Sequence, residues 1–249
     1  MDFTDKVVII TGGSSGIGAA SAVLFAKQGA KLALVGRNTF RLQQVADKCQ
    51  AARGVEPLCL KLDLTEPDSC AAVVTRAVAM FGRIDVLVNC AGKLQIGSLF
   101  DDSMDVFDET LNLNLRVPYK LTQLVLPYLA KTKGNVVNVL GANYVRVRHG
   151  FLPYCIAKAG LDKFTKMAAV ELATAGVRVN SVQCGISKTN ILSNIVDKDL
   201  MDHEYKILEQ DFKFIEPEEV SKMVVFVASG VCPNLNGADL GIHGASVLA

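Results

Sequence analysis

Short runs rich in β-branched residues, each followed by a stretch with helical spacing, constrain this chain more than anything else in it. The runs fall at 6–11, 31–36, 56–62, 84–89, 135–140, 177–182 and 238–242, and helical patterns fill 16–28, 39–53, 67–81, 105–131, 153–175 and 217–229. Strands alternating with helices are the mark of βαβ units and a parallel sheet. Right-handed crossovers then predict a single-domain, doubly wound α/β sheet of about seven strands with helices on both faces. The composition agrees: half of the residues are hydrophobic, as a sheet buried on both faces requires. The 249 residues suit one domain over 1–249. Only 190–214, polar and poorly periodic, interrupts the alternation, and its position after the sixth strand predicts a substrate-side lid.

Charge excludes several classes of function. The 26 basic and 25 acidic residues are dispersed along the chain, leaving no footprint for nucleic acid or an anionic membrane. No window approaches the roughly 18 apolar residues of a membrane span. The start carries two acids before its first strand, unlike a secretory signal, so a cytoplasmic protein is expected. Seven cysteines, odd in number and without a CxxC pair, read as reduced thiols, and no metal site is expected.

Thr11-Gly12-Gly13-Ser14-Ser15-Gly16-Ile17-Gly18 follows the first run directly and opens the first helical stretch. A tight turn there needs residues without a Cβ, and the helix amino terminus offers N–H groups to a pyrophosphate. The same string also serves as a purely structural turn. Strand before and helix after favour the phosphate reading, and make Gly12, Ser14, Ser15, Gly16, Ile17 and Gly18 candidate cofactor contacts.

The TGxxxGIG spacing is joined, in order, by Asp63 in Leu62-Asp63-Leu64, by Asn89-Cys90-Ala91-Gly92, by Asn114, by Tyr154 with Lys158, and by Gly185 to Thr189. A YxxxK pair alone says little, with about 0.3 matches expected by chance. Together the six pieces resemble the short-chain dehydrogenase/reductase family, over almost the whole chain. The resemblance implies a Rossmann-type domain holding a nicotinamide dinucleotide. Asp63 and Leu64 would lie on the adenine side, Asn89, Ala91 and Gly92 beside the adenine ribose, and Gly185, the Ile186 backbone and Thr189 at the carboxamide. Asp63 also reads as a cap after the third strand, and both roles are compatible.

Cofactor choice is read at the end of the second strand, where an acid usually binds the ribose hydroxyls of NAD. Here Val35-Gly36-Arg37-Asn38 carries none. Gly36 leaves room for a 2′-phosphate and Arg37 can bond to it, with Ser14 and Ser15 adding hydroxyls but no second charge. NADP(H) is expected, with NAD(H) second; a merely solvated Arg37 is the alternative.

Tyr154 and Lys158, four residues apart, share one helix face. An adjacent ammonium and the positive charge of an oxidised nicotinamide lower a tyrosine pKa, so the tyrosine can exchange a proton with a carbonyl or alcohol. The family implies that Lys158 also binds the nicotinamide ribose and that Asn114 links it to water. The family's serine, 13 residues before the tyrosine, is Gly141 in this chain. Losing such a donor typically costs ~10²–10³ in turnover. Asn143 or a water can stand in, and Gly141→Ser is expected to raise activity. Two readings follow: an NADP(H)-dependent oxidoreductase of small carbonyl or alcohol substrates with an impaired site, or an NADP(H)-binding protein with little catalysis. Two further departures are Gln183-Cys184-Gly185 for Asn-Pro-Gly and His243-Gly244-Ala245 for Asp-Gly-Gly. Family members commonly form tetramers through the helices at 105–131 and 153–175, so a homo-oligomer is expected, tetramer before dimer. Val106, Leu113, Leu124, Leu161, Phe164 and Ala168 would supply both that face and the core.

Overall fold

In the computed structural model, residues 1–53, 55–141, 150–187, 189, 191 and 214–244 are described below. The strands are β1 (Val7–Thr11), β2 (Lys31–Gly36), β3 (Leu58–Lys61), β4 (Val86–Asn89), β5 (Asn135–Gly141), β6 (Arg178–Cys184) and β7 (Asp239–Ile242). They form one sheet in the order β3-β2-β1-β4-β5-β6-β7, every pair parallel. The order reverses between β1 and β4. Crossovers therefore diverge there, and a crevice opens at the carboxyl ends of those strands.

The helices are α1 (Gly16–Lys27), α2 (Thr39–Arg53), α3 (Ser69–Phe81), α4 (Asp105–Leu111), α5 (Val117–Thr132), α6 (Leu152–Leu172) and α7 (Pro217–Ala228). The two-residue period of the strands splits their side chains between two cores. Val8, Ile10, Leu32, Leu34, Val88 and Val139 pack with Phe25 of α1 and Val224 of α7 on one face. Ile9, Ala33, Val35, Leu87 and Val136 pack with Val73 of α3 and Leu121 of α5 on the other. Strands so buried read as continuous apolar runs, which is why the sequence pattern found them.

Departures from the expected boundaries have local causes. The third strand, expected from 56, begins at Leu58, after Pro57, whose missing N–H suits a strand's outer end. The fourth, expected from 84, begins at Val86, because Asp85 acts as a clamp. Its carboxylate accepts the Val7 N–H at 3.0 Å and two bonds from Arg83 at 2.6 and 2.8 Å. Burial alone would raise the Asp85 pKa, but those bonds and the charge of Lys6 hold it below the usual carboxylate range. The helix expected over 105–131 is interrupted by a π-turn at Asn112–Arg116. Most of the expected lid at 190–214 lies outside the described residues, as does Asn143. No described helix is long and apolar enough to cross a membrane, and no metal-binding cluster occurs among the described residues.

Candidate active site

At the switch point the backbone does most of the shaping. The Thr11 hydroxyl at the end of β1 accepts the N–H groups of Cys90 and Ala91, both at 3.0 Å, joining the loops after β1 and β4. Gly12 sits at φ +69° with its α-carbon so near Ala91 that a Cβ would lie 3.0 Å from that residue's backbone. A Cβ on Gly18 would run into the Gly12 carbonyl. These two positions need glycine for room, and one of them for its backbone angle as well. Ser15, extended at the N-cap of α1, makes no side-chain cap bond, so it leaves the first-turn N–H groups to other acceptors.

The end of the crevice beside the glycine turn and β2 is exposed and charged. Gly36 underlies Ser14, whose Oγ would be 3.0 Å from a Cβ there. Arg37, 70 % exposed along its side chain, forms an ion pair with Asp63 at 3.5 Å. Asp63 also accepts the N–H and hydroxyl of Thr65 at 3.0 and 2.7 Å, so it caps a turn rather than α3. Burial works to raise its pKa, but the Thr65 bonds and Arg37 lower it on balance. Arg41 lines the crevice with Arg37 and Asn38, a second cation that the sequence analysis did not assign. The Asn38 side chain accepts the Arg41 N–H at 2.9 Å, which ties the start of α2 to this rim.

Two expected contacts face elsewhere. Leu64 is buried in the core on the α3 side. The Asn89 amide donates to Asn138 of the neighbouring strand at 2.8 Å, and the loop beyond it, Cys90 to Gly92, lines the crevice.

The other side of the crevice is buried. Tyr154, 4 % exposed, and Lys158, 5 % exposed, project from α6 on one face as their spacing requires. The Lys158 ammonium donates to the Val139 carbonyl at 3.0 Å and lies 5.7 Å from the Tyr154 ring centroid. Burial outweighs that proximity. The Tyr154 pKa is raised, first by desolvation and then by the neighbouring thiols, and burial lowers that of Lys158. Burial thus favours the neutral phenol, with Lys158 alone not offsetting it. The Cys90 thiol is pushed up to about 12 by burial, which fits an inert thiol better than a nucleophile.

Asn114 is fully buried within the π-turn. Its amide accepts the Lys93 N–H at 3.1 Å and donates to the Lys93 carbonyl at 2.9 Å. A Cβ on Gly92 would lie 2.7 Å from Asn114 Oδ1 and 3.7 Å from Lys158 Nζ, so the glycine lets the loop pass between them. The amide's contact here is with the loop backbone.

Gly141 ends β5, in register with Cys184 of β6, and its φ is not in the left-handed region. A Cβ built on it would come under 3.0 Å from the Tyr154 hydroxyl. The strand β6 runs through Cys184, paired on its other side with Ile242, where a proline would have supplied no N–H. Gly185 donates to the Ile242 carbonyl at 2.7 Å, and a Cβ on it would meet the His243 α-carbon at 2.9 Å, so the residues after β6 are drawn toward β7. Thr189 packs against Gly16, whose Cβ would lie 2.9 Å from the threonine methyl.

All of this forms one crevice of about 570 Å³. Gly12, Ser14, Ser15, Gly16, Ile17 and Arg37 line it at one end, and Ala91, Gly92, Gly141, Tyr154 and Lys158 line the middle and far side with Gly185, Ile186 and Thr189. Leu94, Ser187 and Ile191 join them, residues with no chemical signature to single them out in the sequence. The glycine cradle, the uncapped helix end and the cationic rim fit an extended molecule bearing phosphates.

A family model for short chain dehydrogenases matches residues 6–200. The chain belongs to the short-chain dehydrogenase/reductase family. Members of this family generally bind NAD(P)(H). The chain is 33 % identical over 250 residues to the 3-oxoacyl-[acyl-carrier-protein] reductase FabG of Thermotoga maritima, with 100 % of both chains covered. It is 33 % identical over 253 residues to the oxidoreductase UcpA of Salmonella typhimurium, covering 98 % of this chain and 95 % of the relative. Among solved structures, levodione reductase superposes with a TM-score of 0.91 at 29 % identity, over 99 % of each chain. A short-chain dehydrogenase/reductase of unknown function from Caenorhabditis elegans, crystallised with cofactor, gives 0.91 at 31 % identity, over 99 % of this chain and 97 % of that one. The dehydrogenase/reductase relatives make an oxidoreductase acting on small molecules the general class of activity.

Proposed function

We propose that this protein is an NADP(H)-dependent oxidoreductase that interconverts a carbonyl and an alcohol, with Tyr154 as the acid/base. The observation that carries the reading is the single crevice joining the glycine turn and Arg37 to Tyr154 and Lys158. When bound, NADPH supplies the hydride for reduction. The glycine turn and the first turn of α1 hold the pyrophosphate. Arg37 and Arg41 meet the 2′-phosphate, Arg37 exchanging its exposed pairing with Asp63 for a doubly charged partner. Gly185, Ile186 and Thr189 orient the nicotinamide end. The neutral Tyr154 phenol then gives its proton to the carbonyl oxygen, and burial keeps that proton in place until the oxygen becomes basic enough to take it. Lys158 anchors the pair by its bond to Val139. The reductase and dehydrogenase relatives support the carbonyl/alcohol class.

A second reading, binding of NADP(H) with little catalysis, is favoured by Gly141, which contributes no hydroxyl of its own at the position of the family's serine. Two measurements divide the readings. Saturable enhancement of NADPH fluorescence, tighter than for NADH, is expected under both. Turnover of ketones or aldehydes from a chemically varied panel is expected only under the first, and its absence across the panel overturns the oxidoreductase assignment. We also propose a homo-oligomer, tetramer before dimer. Leu161 and Ala168 take the core part of that expected role, while Tyr119 on α5 and Leu152, Ile156, Met167 and Val170 on α6 are exposed apolar side chains. The whole chain acts as one domain in this reading, with 190–214 as its lid.

A further inference from the structure

Absence of a side chain at the end of β5 is usually read as a loss, here of a hydroxyl donor. The geometry gives it another meaning. The Tyr154 hydroxyl stands so close to Gly141 that a Cβ built there falls under 3.0 Å from Oη, while the ring carbons stay at 3.4 Å (Cζ) and 3.6 Å (Cε1). Only the oxygen is in conflict. Gly141 has an ordinary backbone angle, so the glycine is not required by φ. What a β-carbon at 141 would contest is the seat of the tyrosine oxygen. The neighbouring groups are themselves tied to β5: Lys158 on the same helix is bonded to Val139, two residues before Gly141, and Cys184 opposite Gly141 bonds the Leu140 carbonyl at 3.1 Å.

We propose that Gly141 is a positioning residue for Tyr154: the missing β-carbon admits the tyrosine hydroxyl to the end of β5 and sets the depth from which it meets a substrate oxygen. The site is then built around a glycine, and a serine cannot simply be restored. Any side chain at 141 displaces the hydroxyl toward the open crevice. This rests on the assignment of Tyr154 as acid/base in so far as it concerns turnover; the packing claim stands apart from it.

The test is a double-mutant cycle on the full chain, read by thermal unfolding without substrate. Gly141→Ala is expected to lower Tm by about 3–8 °C when residue 154 is tyrosine. In Tyr154→Phe, which lacks only the oxygen, the same change should cost no more than about 2 °C, because the remaining carbon contacts are of ordinary length. Equal losses in both backgrounds, or none in either, overturn the proposal. If Gly141→Ala does not fold, the double variant must fold, and failure of both overturns it too. Two activity readouts follow where turnover is measurable. Gly141→Ser should lower kcat by ~10-fold or more with the KM for NADPH unchanged, and a gain in kcat would restore the lost-donor account. Gly141→Ala should shift the alkaline rise of alcohol oxidation to lower pH, since a displaced hydroxyl is less buried. Coupling in Tm without turnover from any variant would keep the seat and remove the oxidoreductase reading; turnover without coupling would do the reverse.

Discussion

The two ends of the crevice solve different problems with different materials. At the end beside β2, the proposed adenosine end, exposed cations stand on a rim, Arg37 with 70 % of its side chain in solvent, and the floor is backbone packed on backbone at Gly12 and Gly18. At the other end, where the reaction is proposed, a tyrosine and a lysine are almost wholly enclosed and their pKa values move with burial. Water screens the first set of charges, so each contributes modestly and can be exchanged. Exclusion of water governs the second, so a displacement of one atom matters. Binding and chemistry should accordingly separate under mutation, and the following measurements test how cleanly.

Removing the Tyr154 hydroxyl should have the largest effect. Tyr154→Phe is expected to lower turnover by ~10²–10⁴ while NADPH affinity, followed by fluorescence, stays within about twofold. Parallel loss of affinity would show that the two ends are not independent. Next comes the floor of the adenosine end. Gly18→Ala forces a β-carbon into the Gly12 carbonyl, and should weaken NADPH by ~10-fold or more and lower stability by about 1–3 kcal/mol, measured by calorimetric titration and denaturant unfolding.

Exposed charge should matter less. Arg37→Asp is expected to weaken NADPH by about 10-fold and reverse the preference toward NADH, and equal affinities of the unaltered protein for the two would remove the basis for NADP(H). Arg41→Ala should cost only a few-fold in NADPH affinity, with the difference shrinking as salt approaches about 1 M. The smallest effect belongs to pH. A tyrosine pKa raised by burial leaves the phenol protonated throughout the neutral range. Reduction should therefore vary little between about pH 6 and 9 and fall only on the alkaline side, while oxidation, which needs the phenolate, climbs with pH. A reduction rate that falls through pH 7–8 would mean that the ammonium outweighs desolvation.

The same division decided what the sequence could reveal. The sheet was legible because its five central strands bury both faces, and the glycine turn because close approach leaves little room for any other residue. Tyr154 and Lys158 were legible through their spacing. Three things were not. Asn89 was expected at the crevice, but a buried amide facing Asn138 across β4 and β5 depends on a pairing that no local pattern encodes. Arg41 was passed over because a charge in the first turn of a helix looks the same whether it faces solvent or a crevice. Gly141 was read by what it lacks, and only coordinates reveal that another residue's atom has taken the room.

The π-turn at Asn112–Arg116 has a consequence for how the protein can change in length. One residue more than an α-helical turn rotates everything beyond it by about 100°. That offset lets α4 lie on α6 while α5, continuing the same rod, lies on α3. A single deletion there would yield a more regular helix and a worse protein. The straightened rod could satisfy one neighbour only, and Asn114 would swing off the Lys93 backbone. Helices ordinarily tolerate substitutions better than changes of register, and this one holds its spare residue as a phase adjustment between two packing partners.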